Sequence, residues 1–151
     1  MTDRPNGPIM TADGDAMAVV EDALGSLWHV ANRLAQLQPV KRERYSVTIF
    51  GSARIKPGQP LYEAAKGLAE ALSRRGCDVV TGGGPGLMQA ANEGSQLGDP
   101  QDVTRSIGVR VELPFEDEAN PFVEQVYTHQ TFFTRLHHFV RLSNAFVVLD
   151  E

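Results

Sequence analysis

The chain runs twice from a short β-rich stretch through a glycine turn into a helix, and this repetition constrains its fold more than any other feature. Ser46-Val47-Thr48-Ile49-Phe50 ends in Gly51-Ser52-Ala53-Arg54, and Cys77-Asp78-Val79-Val80-Thr81 ends in Gly82-Gly83-Gly84-Pro85-Gly86. Between them Leu61, Ala65, Leu68 and Leu72 recur at helical spacing, with Pro60 suited to the first turn and Gly76 placed to end the helix. After the second turn Leu87, Met88, Ala90, Ala91 and Asn92 read as a helix ending near Gly94. Strand, turn, helix, strand, turn, helix is the pattern of parallel strands joined by right-handed helical crossovers. The expected class is therefore α/β, with helices covering a parallel sheet.

Later segments extend the pattern. Ser106–Val111 supplies a third strand, and Glu112–Glu124 follows with five acids and no Lys or Arg, marked as a loop by Pro114, Asn120 and Pro121. Val126 and Tyr127 continue an extended segment, and Thr131 can cap a helix whose apolar face is Phe132, Leu136, Phe139 and Val140. Asn144–Leu149 reads as a fully apolar strand, buried on both faces. At the other end, residues 1–14 read as a flexible arm. Residues 15–40 form an N-terminal helix with Val20, Ala23, Leu27, Val30, Leu34 and Leu37 on one face, able to pack on its own domain or on a second subunit. Residues 45–151 form the main domain.

Composition narrows the function classes. A formal charge of −5 over 151 residues argues against holding nucleic acid on a broad basic face; the Lys41, Arg42, Arg44 cluster reads as a solvated linker. Cys77 is the lone cysteine, so no intramolecular disulfide forms, and no His/Cys cluster offers a structural metal site. No apolar run approaches the roughly 20 residues that span a bilayer, and MTDRPNGPIM lacks the features of a secretory signal. The expectation is a cytoplasmic protein without metal or cofactor and without nucleic-acid or membrane partners.

The strongest chemical signal is Thr81–Gly86. Consecutive glycines allow a tight turn and close ligand approach, and the exposed amides at a helix start cradle anions. The segment is neither GxGxxG nor a Walker loop, since no Lys-Ser/Thr pair follows Gly86. The same glycines also suit a close strand-to-helix turn with no ligand. Gly51, Ser52 and Arg54 leave the preceding strand at the same edge and add a hydroxyl and a guanidinium able to grip a phosphate. His137 and His138 point about 100° apart on a helix and do not easily share a metal.

The succession FGSAR, GGGPGLMQAAN, SIGVRVELPFE, FFTRLHHF and LSNAFVVL resembles the LOG (Lonely Guy) family, also described as lysine-decarboxylase-like Rossmann proteins, in its longer bacterial branch. The resemblance implies a homodimeric, Rossmann-like, doubly wound parallel sheet. It also implies an enzyme that hydrolyses the N-glycosidic bond of a nucleoside 5′-monophosphate, AMP or N6-modified AMP, releasing the base and ribose 5-phosphate. Arg135 falls on the catalytic arginine position of that family. Gly51, Ser52, Arg54, Gly82, Gly83, Gly84, Gly86, Met88 and Asn92 match its nucleotide-binding loops. Members follow the last strand with PGGxGTxxE, whose glutamate is catalytic, whereas this sequence reads Asp150-Glu151 there. The expected sheet is accordingly incomplete at its C-terminus. A non-catalytic nucleotide-binding module or pseudoenzyme is the alternative, and a partner-binding protein acting through the Val20–Leu37 helix is a third reading.

Overall fold

A computed structural model describes residues 12–36, 43–112 and 118–150. Residues 1–11 of the expected arm, Lys41 and Arg42 of the basic cluster, the centre of the acidic stretch at 113–117, and Glu151 lie outside the described residues. The chain divides into two units, Met1–Val40 and Lys41–Glu151.

The first unit is the helix α1 (Ala12–Gln36). Of its apolar residues Val20, Leu24, Leu27, Trp28 and Val30 are all exposed, while Leu37 of the expected stripe lies outside the described residues.

The second unit is built on β1 (Ser46–Phe50), α2 (Pro60–Arg74), β2 (Asp78–Thr81), α3 (Leu87–Leu97), β3 (Ser106–Val111), β4 (Gln125–His129), α4 (Phe132–Leu142) and β5 (Ala145–Val148). The five strands form one sheet in the order β4-β3-β2-β1-β5, parallel throughout, with Val47 opposite both Val79 and Ala145. Because successive side chains of a strand face opposite ways, the adjacent residues Val79 and Val80 serve different layers. Val79 packs with Ile49, Ala69 and Ala91 beneath α2 and α3, and Val80 packs with Ile107, Val109, Phe139 and Leu142 beneath α4. The placement follows from handedness: right-handed crossovers from β1 through β2 to β3 put α2 and α3 on one face, and the return to β5 puts α4 on the other. This is an α/β, Rossmann-like sheet.

Helix ends follow local chemistry. Pro60 sits in the first turn of α2. Gly76, at φ +81°, ends it with Cys77 N–H donating to the Leu72 carbonyl and Gly76 N–H to Ser73, so the last carbonyls of the helix are satisfied. Thr131 caps α4 by accepting from the Thr134 N–H at 3.1 Å.

Three expectations are corrected. Gly94 does not end α3, which continues to Leu97. A side-chain carbon at Gly94 would run into the Lys66 carbonyl oxygen and stand 2.9 Å from its carbon, so the residue lets α2 and α3 approach closely. On α4, Phe139 and Leu142 face the core while Phe132, Leu136 and Val140 are exposed, because the helix lies over one side of the sheet and only the arc through Arg135, Phe139 and Leu142 meets it. The last strand is not buried on both faces. Among the described residues it is an edge strand pairing with β1 alone, and Val148 is 74% exposed.

Candidate functional site

Strand order reverses between β1 and β5. In an open α/β sheet, the crevice outside the carboxyl ends of the strands at such a reversal is where ligands bind. Two glycine loops leave β1 and β2 at this edge and interlock. The Leu87 N–H donates to the Ser52 carbonyl at 2.9 Å. A side-chain carbon at Gly86 would stand 2.6 Å from the Ala53 carbonyl carbon, and one at Gly51 would stand 2.6 Å from Leu87 Cδ1. These two glycines serve the close fit of loop on loop. Ser52 Oγ accepts from the Arg54 N–H at 3.2 Å and shapes the turn.

The triplet behaves differently. Gly83 adopts φ +73° and donates its N–H to Thr81 Oγ1 at 2.9 Å. Among the described residues, the amides of Gly84, Gly86, Met88 and Gln89 donate to no group of the chain. They stand at the start of α3, whose first turn carries no acidic residue, so no carboxylate of that turn offsets the positive end of the helix dipole.

Arg135 reaches this loop from the opposite face of the sheet. Its Nε donates to the Val109 carbonyl at 2.8 Å, and its guanidinium carbon lies 5.4 Å from the centre of the Phe139 ring. These contacts hold the guanidinium so that a side-chain carbon on Gly82 would be 2.6 Å from Nη2. A half-buried cation and several amide hydrogens thus border one edge, an arrangement suited to a phosphate or another anion.

Residues 44–150 match the SLOG cluster4 family. The chain belongs to that family. No protein of curated function matches its sequence closely. Similar solved structures include the structural-genomics target TM1055, at 22% identity and TM-score 0.52 over 70% of this chain and 60% of that one. A molybdenum cofactor carrier protein from Chlamydomonas reinhardtii is 19% identical at TM-score 0.58, over 72% of this chain and 63% of that one. The molybdenum cofactor binding protein of Rippkaea orientalis is 18% identical at TM-score 0.56, over 70% and 61%. The SLOG chain described here spans about three-fifths of the length of these structures, and at such identities the likeness is one of fold.

Within this SLOG domain the expected site residues divide. Gly82, Gly83, Gly84, Met88 and Arg135 surround the loop edge, with Met88 Sδ 2.8 Å from where a carbon on Gly82 would be. Asn92 is fully buried beneath the loop. Its Oδ1 accepts from Thr81 Oγ1 at 2.7 Å and from Asn120 Nδ2 at 3.0 Å, and its Nδ2 donates to Ser106 Oγ at 2.9 Å. Asn92 therefore acts on a ligand only through the loop it supports.

Sequence reasoning missed two neighbours of that loop. Arg110 lies with Cγ 3.2 Å from where a carbon on Gly83 would be, a third guanidinium at this edge after Arg54 and Arg135. Its alternation with Val109 and Val111 was the available signal, since it places one charge on the α3 side of β3. Asn120, 8% exposed, donates from its N–H to the Gly83 carbonyl and from Nδ2 to the Gly84 carbonyl, both at 2.9 Å.

His138 does not join His137. Its Nδ1 is 2.7 Å from Nε2 of His129, away on β4. A hollow of about 510 Å³ lined by Arg74, Asp99 and Thr104 opens at the amino-terminal edge of the sheet, where the Asp99 carboxylate accepts from the backbone of Val103 and Thr104. That carboxylate is used in holding its own loop. Among the described residues no helix is long and apolar enough to cross a membrane.

Proposed function

We propose that the carboxyl edge of the sheet binds a nucleoside 5′-monophosphate and that the whole protein hydrolyses its N-glycosidic bond. The observation carrying this reading is the Arg135 guanidinium against Gly82, beside the amides of Gly84, Gly86, Met88 and Gln89. The amides take the phosphate, and Gly51, Ser52 and Arg54 border the sugar. In the reaction a water oxygen bonds to C1′ while the C1′–N bond breaks. The electron pair leaves with the base, which takes up a proton. Arg135 positions the nucleotide and offsets the negative charge gathering on the departing base. The carboxylate that stabilises the ribose corresponds, by the resemblance to LOG proteins, to the glutamate of PGGxGTxxE. The same resemblance supports a homodimer and AMP or N6-modified AMP as substrate.

Incubating the full-length protein with AMP and following adenine by chromatography tests the reaction; release of adenine and ribose 5-phosphate is expected, and unchanged AMP defeats it. A second reading, binding without hydrolysis, is favoured by the likeness to two structures named for carrying or binding the molybdenum cofactor. It predicts heat on titrating AMP in a calorimeter with no base released.

A further inference from the structure

Asn120 belongs to the loop between β3 and β4, far in sequence from the glycine turn, yet it is buried against it and uses each of its polar groups. Its N–H donates to the Gly83 carbonyl at 2.9 Å and its Nδ2 to the Gly84 carbonyl at 2.9 Å. The same Nδ2 donates to Asn92 Oδ1 at 3.0 Å, while Oδ1 accepts from the Phe122 N–H at 3.1 Å. Asn92 in turn accepts from Thr81 and donates to Ser106. The side chain cannot turn without leaving buried hydrogen-bond partners unsatisfied.

The consequence lies in peptide geometry. A trans peptide is planar, with its carbonyl and the following N–H pointing opposite ways. The bond from Asn120 N–H draws the Gly83 carbonyl toward the β3–β4 loop, so the Gly84 N–H of that same peptide points away from it. The Gly84 carbonyl is drawn the same way, and the residue that follows is Pro85, which has no N–H. With φ +73° at Gly83 the peptide also has access to a flipped orientation, because glycine meets little steric resistance to rotation. The two bonds from Asn120 select one orientation.

We propose that Asn120 is a positioning residue for the anion site: it holds the Gly83–Gly84 and Gly84–Pro85 peptides so that the Gly84 N–H stays available to the phosphate of a nucleoside monophosphate. This inference rests on the nucleotide reading given above. It adds to that reading a residue outside the glycine turn that sets affinity without touching the ligand.

The test is nuclear magnetic resonance of the ¹⁵N-labelled full-length protein titrated with AMP, and separately with inorganic phosphate. In the wild type the Gly84 amide shifts together with those of Met88 and Gln89. Asn120→Asp keeps the shape, the backbone donor and the acceptor for Phe122, but replaces the Nδ2 donor with a charged oxygen facing the Gly84 carbonyl and Asn92 Oδ1, so Asn120→Ala is the variant that removes the donor without adding charge. Asn120→Asp is expected to weaken AMP binding by about tenfold or more, with the Gly84 response lost or reduced and the Met88 and Gln89 responses retained at saturation. Asn120→Ala is expected to do the same, and dispersed spectra of both variants show whether the fold survives. Wild-type affinity and a wild-type Gly84 shift in folded Asn120→Ala overturn the positioning role while leaving nucleotide binding intact. The absence of any AMP or phosphate shift at these amides in the wild type overturns the nucleotide reading and this inference together.

Discussion

Arg135 and Gly82 meet across the sheet: a side-chain carbon on Gly82 would stand 2.6 Å from Nη2 of Arg135 and 2.8 Å from Sδ of Met88. Both obstructing atoms are ends of long side chains, which move more cheaply than backbone. Gly82→Ala is therefore expected to cost under about 1 kcal/mol of stability while displacing the guanidinium, because although Gly82 is buried, the atoms in the way belong to flexible side chains that can give way. Binding is expected to fall by about tenfold or more, as misplacing a charged donor forfeits its hydrogen bond. Thermal unfolding and AMP calorimetry on the same sample separate the two effects; wild-type affinity with a wild-type melting temperature shows that the contact is incidental.

Replacing Arg135 itself asks a different question. Its Nε bond to the Val109 carbonyl fixes its orientation, and Nη2 lies against Gly82 at the loop edge. Arg135→Ala is expected to lower turnover of AMP by about two orders of magnitude or more with the fold retained, the range seen for loss of a charge-stabilising donor. Arg135→Lys is expected to restore little, since an ammonium cannot bond the carbonyl and face the loop at once. A rate unchanged in the alanine variant removes Arg135 from the mechanism.

Much of this architecture was legible in the sequence because its signals are local. The β1 and α4 boundaries follow from a β-rich run and a capping threonine, and Gly76 ends α2 where a left-handed residue was needed. What escaped depends on residues that become neighbours only when parallel strands align. Gly94 looks like a helix terminator to any local rule, yet its role is set by the carbonyl of Lys66 on another helix. Asn120 reads as a turn former beside Pro121, and its part in the site comes from β3 lying next to β2. Gly86 was legible as a glycine that something must approach closely and Gly51 as part of a glycine turn, but what comes close to each is the protein itself.

The fit at Gly94 gives a stability prediction. There the obstruction is backbone, the Lys66 carbonyl of α2, which cannot move without parting the helices. Gly94→Ala gains helix propensity of about 1 kcal/mol and is nonetheless expected to destabilise by roughly 1–3 kcal/mol, because overpacking a helix contact outweighs it. Chemical denaturation measures the sum; a stabilised variant shows that the helices are free to separate at this point.

Tyr62 and Glu93 link the same two helices, with the phenol donating to Glu93 Oε2 at 2.8 Å and Lys66 Nζ donating to Oε1 at 2.7 Å. Burial, reinforced by the bond to Glu93, pushes the Tyr62 phenol up to about 12. A group whose folded pKa is raised contributes stability that is complete below its unfolded value near 10 and lost as pH rises through the folded one. For Glu93, burial pushes the carboxyl upward, but the bonds from Lys66 and Tyr62 outweigh it and hold the pKa below its ordinary value. Its contribution is present above the ordinary carboxylate range and lost as pH falls through the lowered folded pKa. Unfolding free energies measured across pH are therefore expected to decline at both ends. Tyr62→Phe should flatten the decline between about pH 10 and 12, and Glu93→Gln should flatten the acid limb. If both variants keep wild-type slopes, this triad has no part in the pH dependence of the fold.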